Sequence, residues 1–243
     1  MELRPYQVEA VESVFREWEQ GRKRTLLVQA TGTGKTICFA EVVRRVASHG
    51  GRSLILAHRG ELLEQAATKI EQTANLKCAL EKAENTSLNS WTSVTVGSVQ
   101  TLMRESRLSQ FRPDAFDCIV VDEAHHTLAE GYTRILDHFE SANVLGVTAT
   151  ADRADRKDLG EVYDSIAYEY DMAHAINDGY LCPIEAEMVP LQVDLSSVSV
   201  THGDYQAGQL GDALEPYLDA IADAMVTRCQ DRRTVVFLPL IRT

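Results

Sequence analysis

The 243-residue sequence has few of the features that mark secreted or membrane-spanning proteins. Its five cysteines are scattered and form no Cys-x-x-Cys pair, which argues against a disulfide framework or a zinc ribbon. No stretch approaches the roughly 20 apolar residues of a membrane span, and no secretory hydrophobic segment follows the N-terminus. We therefore expect a cytoplasmic protein with no membrane partner.

Positive charge is also scarce, with 24 Lys and Arg against 36 Asp and Glu and a net charge of -12. This balance argues against a protein that binds nucleic acid through a globally basic surface. It leaves room for a local basic groove that includes Arg22–Arg24, Arg44, Arg45 and Arg52. A solvated charged face is the alternative interpretation of such short runs.

The apolar residues alternate between short runs and helical periodicity. The runs predict five strands, at Thr25–Gln29, Ser53–Ala57, Val94–Gly97, Cys118–Val121 and Asn143–Thr148. Helical patterns separate them, and strands that alternate with helices form parallel sheets covered on both faces. We therefore predict an α/β fold with three α/β/α layers and a mostly parallel sheet.

The pattern changes after Gly179. A strand is predicted at Glu185–Val193, a polar linker at Ser196–Gly211, a helix at Ala213–Arg228 and a strand at Thr234–Leu238. One helix and one strand cannot bury a core of their own. We therefore predict a first domain over residues 1–190, followed by a linker and the start of a second domain over residues 191–243.

A glycine-containing loop, Ala30–Thr36, lies between the first predicted strand and the next helix. In this context the backbone N–H groups cradle phosphate oxygens, and the helix dipole favours their negative charge. Lys35 would reach the outer phosphates and the Thr36 hydroxyl would bind Mg²⁺. The strict pattern has glycine where this chain has Gln29, and an ordinary turn is the alternative. The predicted ATP-binding residues of the loop are Thr31, Gly32, Thr33, Gly34, Lys35 and Thr36.

Two carboxylates, Asp122 and Glu123, follow the apolar strand at Cys118–Val121. Strands of an open α/β sheet place such residues at the carboxyl edge, where the phosphate loop also lies. Asp122 can hold Mg²⁺, and Glu123 can orient and deprotonate the attacking water. We therefore predict Lys35, Asp122 and Glu123 as the catalytic residues. The alternative is a solvated acidic turn.

These motifs, in this order, resemble those of the superfamily 2 DEAD/DEAH-box helicases. The similarity is greatest to the bacterial and phage branch that includes RadD-like repair helicases and the translocases of type I and type III restriction enzymes. The segments that resemble family motifs are Leu3–Gln7, Ala30–Thr36, Leu56–Arg59 with Glu61 and Gln65, Val96–Thr101, Asp122–His125, Thr148–Thr150, Asp178–Leu181 and Val235–Leu238.

The resemblance implies roles for residues outside the two central motifs. Arg4 and Gln7 would contact the adenine base. Arg59, Gln100 and Thr101 would contact nucleic acid. The alternative for Arg59 is a surface arginine at the start of a helix. The alternative for Gln100 and Thr101 is that they have no such role, because their spacing signal is weak. His125, Thr148 and Thr150 would couple hydrolysis to strand binding, unless the two threonines merely end a buried strand.

The resemblance also implies a function: an ATP-binding and ATP-hydrolysing RecA-like domain of a DNA helicase or translocase, with ATP and Mg²⁺ as cofactors. Motifs V and VI of the family are missing, so we expect no unwinding by this chain alone, weak DNA binding, and a second chain as the source of another RecA-like domain. The alternatives are an ATP-binding interaction module or regulatory fragment with little catalysis, and a P-loop kinase. The kinase leaves the motifs at Leu56–Arg59 and Thr148–Thr150 unexplained.

Overall fold

The computed structural model describes residues 2–57, 60–149, 159–188, 193–201 and 204–237. The chain divides into two compact units, Met1–Pro183 and Ile184–Thr243. The predicted boundary at residue 190 lies slightly later, and the assignment of residues 191–243 to a second RecA-like domain stays a prediction. In the described parts of the chain, no helix is both long enough and apolar enough to cross a membrane.

The described residues of the first unit form seven strands: β1 (Arg24–Gln29), β2 (Ser53–Ala57), β3 (Cys78–Glu81), β4 (Val94–Ser98), β5 (Cys118–Asp122), β6 (Asn143–Thr148) and β7 (Ser165–Tyr170). They form one sheet in the order β3-β4-β2-β5-β6-β1-β7. Every pairing in this sheet is parallel. The carboxyl ends of β1, β6 and β5 therefore lie side by side at one edge.

Helices cover both faces of this sheet. The helices on one face are α1 (Pro5–Glu19), α2 (Lys35–Ser48) and α3 (Gly60–Ala74). Those on the other are α4 (Val99–Leu102), α5 (Glu105–Leu108) and α6 (Glu130–His138), and α7 (Met172–Asn177) follows β7. Successive strand residues point to opposite faces, so Leu27 joins one buried cluster while Leu26 and Val28 join the other. The predicted three-layer α/β/α fold is confirmed.

The two edge strands, β3 and β7, were not predicted. Neither is a continuous apolar run, because an edge strand has a neighbour on one side only and is partly exposed. In β3 the fully buried Glu81 takes the place of an apolar residue. Its carboxylate accepts from Arg107 at 2.7 Å and from the Ser87 backbone N–H at 2.7 Å, which compensates its burial.

The second unit differs from its prediction. It contains an antiparallel pair, β8 (Val200–Thr201) and β9 (Asp204–Tyr205), then α8 (Ala207–Leu214) and α9 (Leu218–Cys229). The hairpin lies inside the predicted linker. Pro216, which lacks a backbone N–H, lies in the short 3-10 turn that interrupts the predicted Ala213–Arg228 helix.

The strands predicted at Glu185–Val193 and Thr234–Leu238 were wrong over their described parts, residues 185–188, 193 and 234–237. A strand needs a hydrogen-bonded neighbour, and the described part of the second unit gives none to these segments. Val235 and Phe237 are 77% and 92% exposed instead of packed. Residues 189–192 and 238 lie outside the described ranges.

Candidate active site

The loop between β1 and α2 takes a conformation that its glycines make accessible. Gly32 has φ 89° and Gly34 has φ 87°, both in the left-handed region that side chains disfavour. A Cβ at position 34 would also lie 2.6 Å from the Gln7 amide nitrogen. The loop closes on itself, because the Thr33 hydroxyl donates to the Ala30 carbonyl at 2.7 Å. These features hold the backbone at the N-terminus of α2.

Lys35 and Thr36 form the first turn of α2, as the motif predicted. The Lys35 ammonium donates to the Gln29 carbonyl at 3.2 Å, which folds its side chain back over the loop. Partial burial lowers the pKa of Lys35, while the nearby carboxylates of Glu123 and Asp122 act to raise it. Lys35 therefore lies in the field of both predicted catalytic acids.

Asp122 ends β5, and its Oδ1 accepts from the Glu123 backbone N–H at 3.0 Å. Burial raises the pKa of Asp122 and the charge of Glu123 raises it further, so a bound cation would relieve both effects. Glu123 has φ 55°, a strained conformation for a residue with a side chain. This turns the chain sharply after the strand and leaves the Glu123 carboxylate exposed, 3.5 Å from His125 Nδ1.

A cavity of about 420 Å³ lies where these elements meet. Its lining residues are Thr36, Phe39, Ala57, Gln65, Ala66, Lys69, Asp122, Glu123, His125 and His126. The Thr36 hydroxyl and the Asp122 carboxylate are hard oxygen donors, which Mg²⁺ prefers. The donor set and the raised pKa of Asp122 thus fit the metal that the sequence predicted.

The amino end of α1 packs against the phosphate loop. Gln7 is 3% exposed, and both ends of its amide are bonded. Its Oε1 accepts from the Arg4 backbone N–H at 3.0 Å, and its Nε2 donates to the Thr33 carbonyl at 3.0 Å. The exposed Arg4 guanidinium lies 5.1 Å from the centre of the Tyr180 ring. Of the two predicted base contacts, Gln7 therefore touches the loop directly, and Arg4 is bonded to Gln7.

Gln29 replaces the glycine of the strict phosphate-loop pattern, and its side chain is fully buried. Within the described chain, neither Oε1 nor Nε2 of Gln29 has an ordinary hydrogen-bond partner. The interacting neighbour is the thiol of Cys38, a weak donor. A buried amide without strong partners costs stability.

We therefore expect Gln29→Met to raise the free energy of unfolding by about 1 kcal/mol, because a similar volume is kept and the desolvated amide is removed. Urea denaturation followed by circular dichroism measures the change. Gln7→Met is the matched variant and should lower stability, since Arg4 and Thr33 would lose their bonds. An equal loss of stability in both variants would contradict this account of Gln29.

The predicted coupling residues are only partly described. Thr148 ends β6, is fully buried, and pairs in register with Val28 at the end of β1. His125 lies in the short turn after Glu123 and lines the cavity. Thr150 lies outside the described residues. Coupling through His125, Thr148 and Thr150 therefore stays a prediction.

The predicted nucleic-acid contacts do not form one described cluster. Gln100 is exposed, and its Oε1 accepts from the Ser98 hydroxyl at 2.8 Å. Thr101 is only 7% exposed, and its hydroxyl accepts from the Ala83 backbone N–H at 3.0 Å. The geometry gives Thr101 a structural bond, and its contact with nucleic acid stays a prediction. Arg59 lies outside the described residues.

One residue at this site was missed by the sequence interpretation. Tyr6 is 5% exposed, and its hydroxyl donates to the Thr33 carbonyl of the phosphate loop at 2.6 Å. The two residues are far apart in the sequence, and no periodic pattern links a side chain to a distant backbone carbonyl. The available signal was that Tyr6 lies within the Leu3–Gln7 segment, next to Gln7.

Known proteins are similar to this chain in both sequence and fold. The family model described as "Type III restriction enzyme, res subunit" matches residues 1–153. The chain is 34% identical over 226 residues to the putative ATP-dependent helicase IRC3 of Saccharomyces cerevisiae, which covers 87% of this chain and 32% of that protein. It is 29% identical over 240 residues to the endonuclease subunit of the type I restriction enzyme EcoAI of Escherichia coli, with coverage of 95% of this chain and 29% of that protein.

Among solved structures, a fragment of a putative HsdR subunit of a type I restriction enzyme from Vibrio vulnificus YJ016 superposes with a TM-score of 0.57 and 27% identity, over 72% of this chain and 32% of that one. The chain thus spans about a third of the length of the curated relatives described above. The family match includes α1, the phosphate loop and both carboxylates. The chain therefore belongs to the type III restriction enzyme res-subunit family, among the superfamily 2 helicase-like proteins with a RecA-like fold.

Proposed function

We propose that this chain is the ATP-binding and ATP-hydrolysing domain of a superfamily 2 DNA helicase or translocase. One observation carries the proposal: the first turn of α2 and the two carboxylates at the carboxyl end of β5 line one cavity. Thr36, Asp122 and Glu123 are all among its lining residues. The ATP-dependent helicase named among the relatives supports the choice of nucleotide.

The phosphates of ATP would bind at the N-terminus of α2. Backbone N–H groups of the loop donate to phosphate oxygens there, and the helix dipole favours their charge. For Lys35 to bind the outer phosphates, its ammonium exchanges the Gln29 carbonyl for phosphate oxygens, which are stronger acceptors because they are charged. Lys35 thereby offsets negative charge next to Asp122 and Glu123.

Thr36 and Asp122 would hold Mg²⁺. When bound, the metal neutralises charge on the phosphate oxygens during phosphoryl transfer. Asp122 suits this role because one of its carboxylate oxygens, Oδ1, already accepts a hydrogen bond from the Glu123 backbone N–H. The carboxylate is thus oriented before the ligand binds.

Glu123 would be the general base. Its exposed carboxylate takes a proton from the attacking water as the water oxygen bonds to the γ-phosphorus and the bond to the bridging oxygen of ADP breaks. His125, 3.5 Å from this carboxylate, is placed to orient it. The strained backbone of Glu123 supports the role, because such strain is concentrated at functional sites.

Gln7 would read the base. Its amide keeps one N–H and one lone pair beyond its bonds to Thr33 and Arg4. These complement the N7 acceptor and the N6 donor of adenine, whereas guanine presents two acceptors on the same edge. The site is therefore expected to prefer ATP to GTP.

The nucleic acid would be DNA, a choice supported by the restriction-enzyme relatives. Contacts to phosphate and sugar carry no sequence information, so binding through Arg59, Gln100 and Thr101 would be independent of sequence. The net charge of -12 supports weak binding by this chain. A second RecA-like domain would complete the grip on the strand.

The proposal is tested by phosphate release from ATP, measured with Mg²⁺ or EDTA and with or without single- and double-stranded DNA. We expect turnover that EDTA abolishes, with a small stimulation by DNA. On duplex DNA, each neutralised phosphate adds about 0.9 to the steepness with which the logarithm of the binding constant falls against the logarithm of the salt concentration. The stimulation should therefore disappear in moderate salt. Binding of ATP without turnover would favour the interaction module instead, and the absence of ATP binding would refute the proposal.

A further inference from the structure

The Thr33 carbonyl, inside the phosphate loop, accepts two hydrogen bonds. The Tyr6 hydroxyl donates at 2.6 Å and the Gln7 amide nitrogen donates at 3.0 Å. Thr33 is 1% exposed, so water cannot replace either donor. A carbonyl oxygen has two lone pairs, and both are used here.

The Tyr6 ring is itself held in place. It stacks on the Tyr170 ring, with centroids 4.4 Å apart and planes 14° from parallel. The Tyr180 ring meets it edge-on at 4.8 Å. The Tyr170 hydroxyl donates to the Asp178 carboxylate at 2.7 Å, which fixes the second ring of the stack. Such aromatic pairs contribute beyond the area they bury.

The same stack reaches both ends of the Ala30–Thr33 turn within the phosphate loop. The backbone carbonyl of Tyr170 accepts from the Ala30 N–H at 3.0 Å, while Tyr6 holds Thr33. Arg4 donates to the Tyr6 hydroxyl oxygen at 3.3 Å, which polarises the O–H group and strengthens its donation to Thr33. Ala30 and Thr33, the two ends of the turn, are therefore fixed to one aromatic pair.

We propose that Tyr6 is a positioning residue of the nucleotide site, and that it maintains the backbone conformation of the phosphate loop whichever base Gln7 contacts. The inference rests on the proposed function. Where contact with a base weakens the bond from the Gln7 amide, the buried Thr33 carbonyl still keeps its second donor, Tyr6. The loop geometry then does not depend on base recognition, and the two adjacent residues have separable tasks.

The test compares Tyr6→Phe with Gln7→Leu, and uses Tyr168→Phe as the matched control. Tyr168 lies on β7 and its ring stacks with Tyr170, 6.4 Å between centroids, but its hydroxyl donates to Glu9 at 3.4 Å rather than to the loop. Calorimetry measures the dissociation constants of MgATP, MgGTP and inorganic tripolyphosphate, and thermal unfolding confirms that each variant is folded.

We expect Tyr6→Phe to weaken all three ligands by the same factor, about three- to tenfold, and to leave the ratio of ATP to GTP affinity unchanged. Gln7→Leu should change that ratio, and Tyr168→Phe should change neither quantity. A purely structural role would lower the unfolding temperature of Tyr6→Phe without changing tripolyphosphate affinity, and this result would overturn the inference. So would a loss confined to ATP. If the parent chain binds none of the three ligands, the proposed function itself fails.

Discussion

Lys35→Ala is expected to weaken MgATP binding about 10- to 100-fold, because one hydrogen-bonding cation contributes on the order of 1.5–3 kcal/mol. The Lys35 ammonium lies in the field of the two carboxylates predicted to be catalytic, Asp122 and Glu123, and added phosphate charge there needs a counter-charge. Titration calorimetry or displacement of a fluorescent nucleotide gives the two dissociation constants.

The matched control for this experiment is Lys23→Ala. Lys23 precedes β1, so it lies at the opposite end of the strand from the phosphate loop, and its side chain is exposed. The Lys23→Ala substitution changes the net charge by the same amount as Lys35→Ala and leaves the nucleotide site unaltered. Similar losses in both variants would show that Lys35 acts through overall charge, and unchanged affinity in Lys35→Ala would remove the phosphate-loop assignment.

Glu123→Gln is expected to lower the turnover of ATP by about 10²- to 10⁴-fold, the range of general acid–base catalysis, while the affinity for MgATP changes little. The amide keeps the shape of the side chain but cannot accept the proton. Asp122→Ala should instead weaken binding when Mg²⁺ is present and have a smaller effect when it is absent. Single-turnover phosphate release and binding titrations separate the two results.

Loss of fold can be distinguished from loss of function in both variants. The charge of Glu123 raises the pKa of Asp122, so removing either carboxylate relieves repulsion in the nucleotide-free protein. The unfolding temperature should therefore not fall in Glu123→Gln. If both variants lost MgATP binding equally, separate metal-binding and proton-accepting roles could not be maintained.

The central strands could be predicted because burial on both faces requires continuous apolar runs, as in Cys118–Val121. The edge strands could not, since β3 contains the buried Glu81 and both are partly exposed. The strand predicted at Thr234–Leu238 was wrong over its described residues, 234–237, for a related reason. Its composition suits a strand, but composition cannot supply a neighbour to pair with.

At the site, the sequence predicted the residues that belong to recognisable motifs. The structure brings these residues together: Lys35, Thr36, Asp122 and Glu123. It did not predict contacts that depend on the fold. The Tyr6 hydroxyl donates to the Thr33 carbonyl, which is far away in the sequence, and the Thr101 hydroxyl accepts a hydrogen bond from the Ala83 backbone N–H. Neither contact has a sequence period, because each joins a side chain to the backbone of a different element.

The strand order determines when this protein can acquire its site during synthesis on the ribosome. β1 is made early, yet its only neighbours in the sheet are β6 and β7, the last two strands of that sheet to emerge. Until then the apolar β1 has both edges unpaired, a state prone to aggregation and a natural substrate for chaperones. The loop is fixed last, when the Tyr170 carbonyl receives the Ala30 N–H. Nucleotide binding by a nascent chain would therefore report that translation has passed β7.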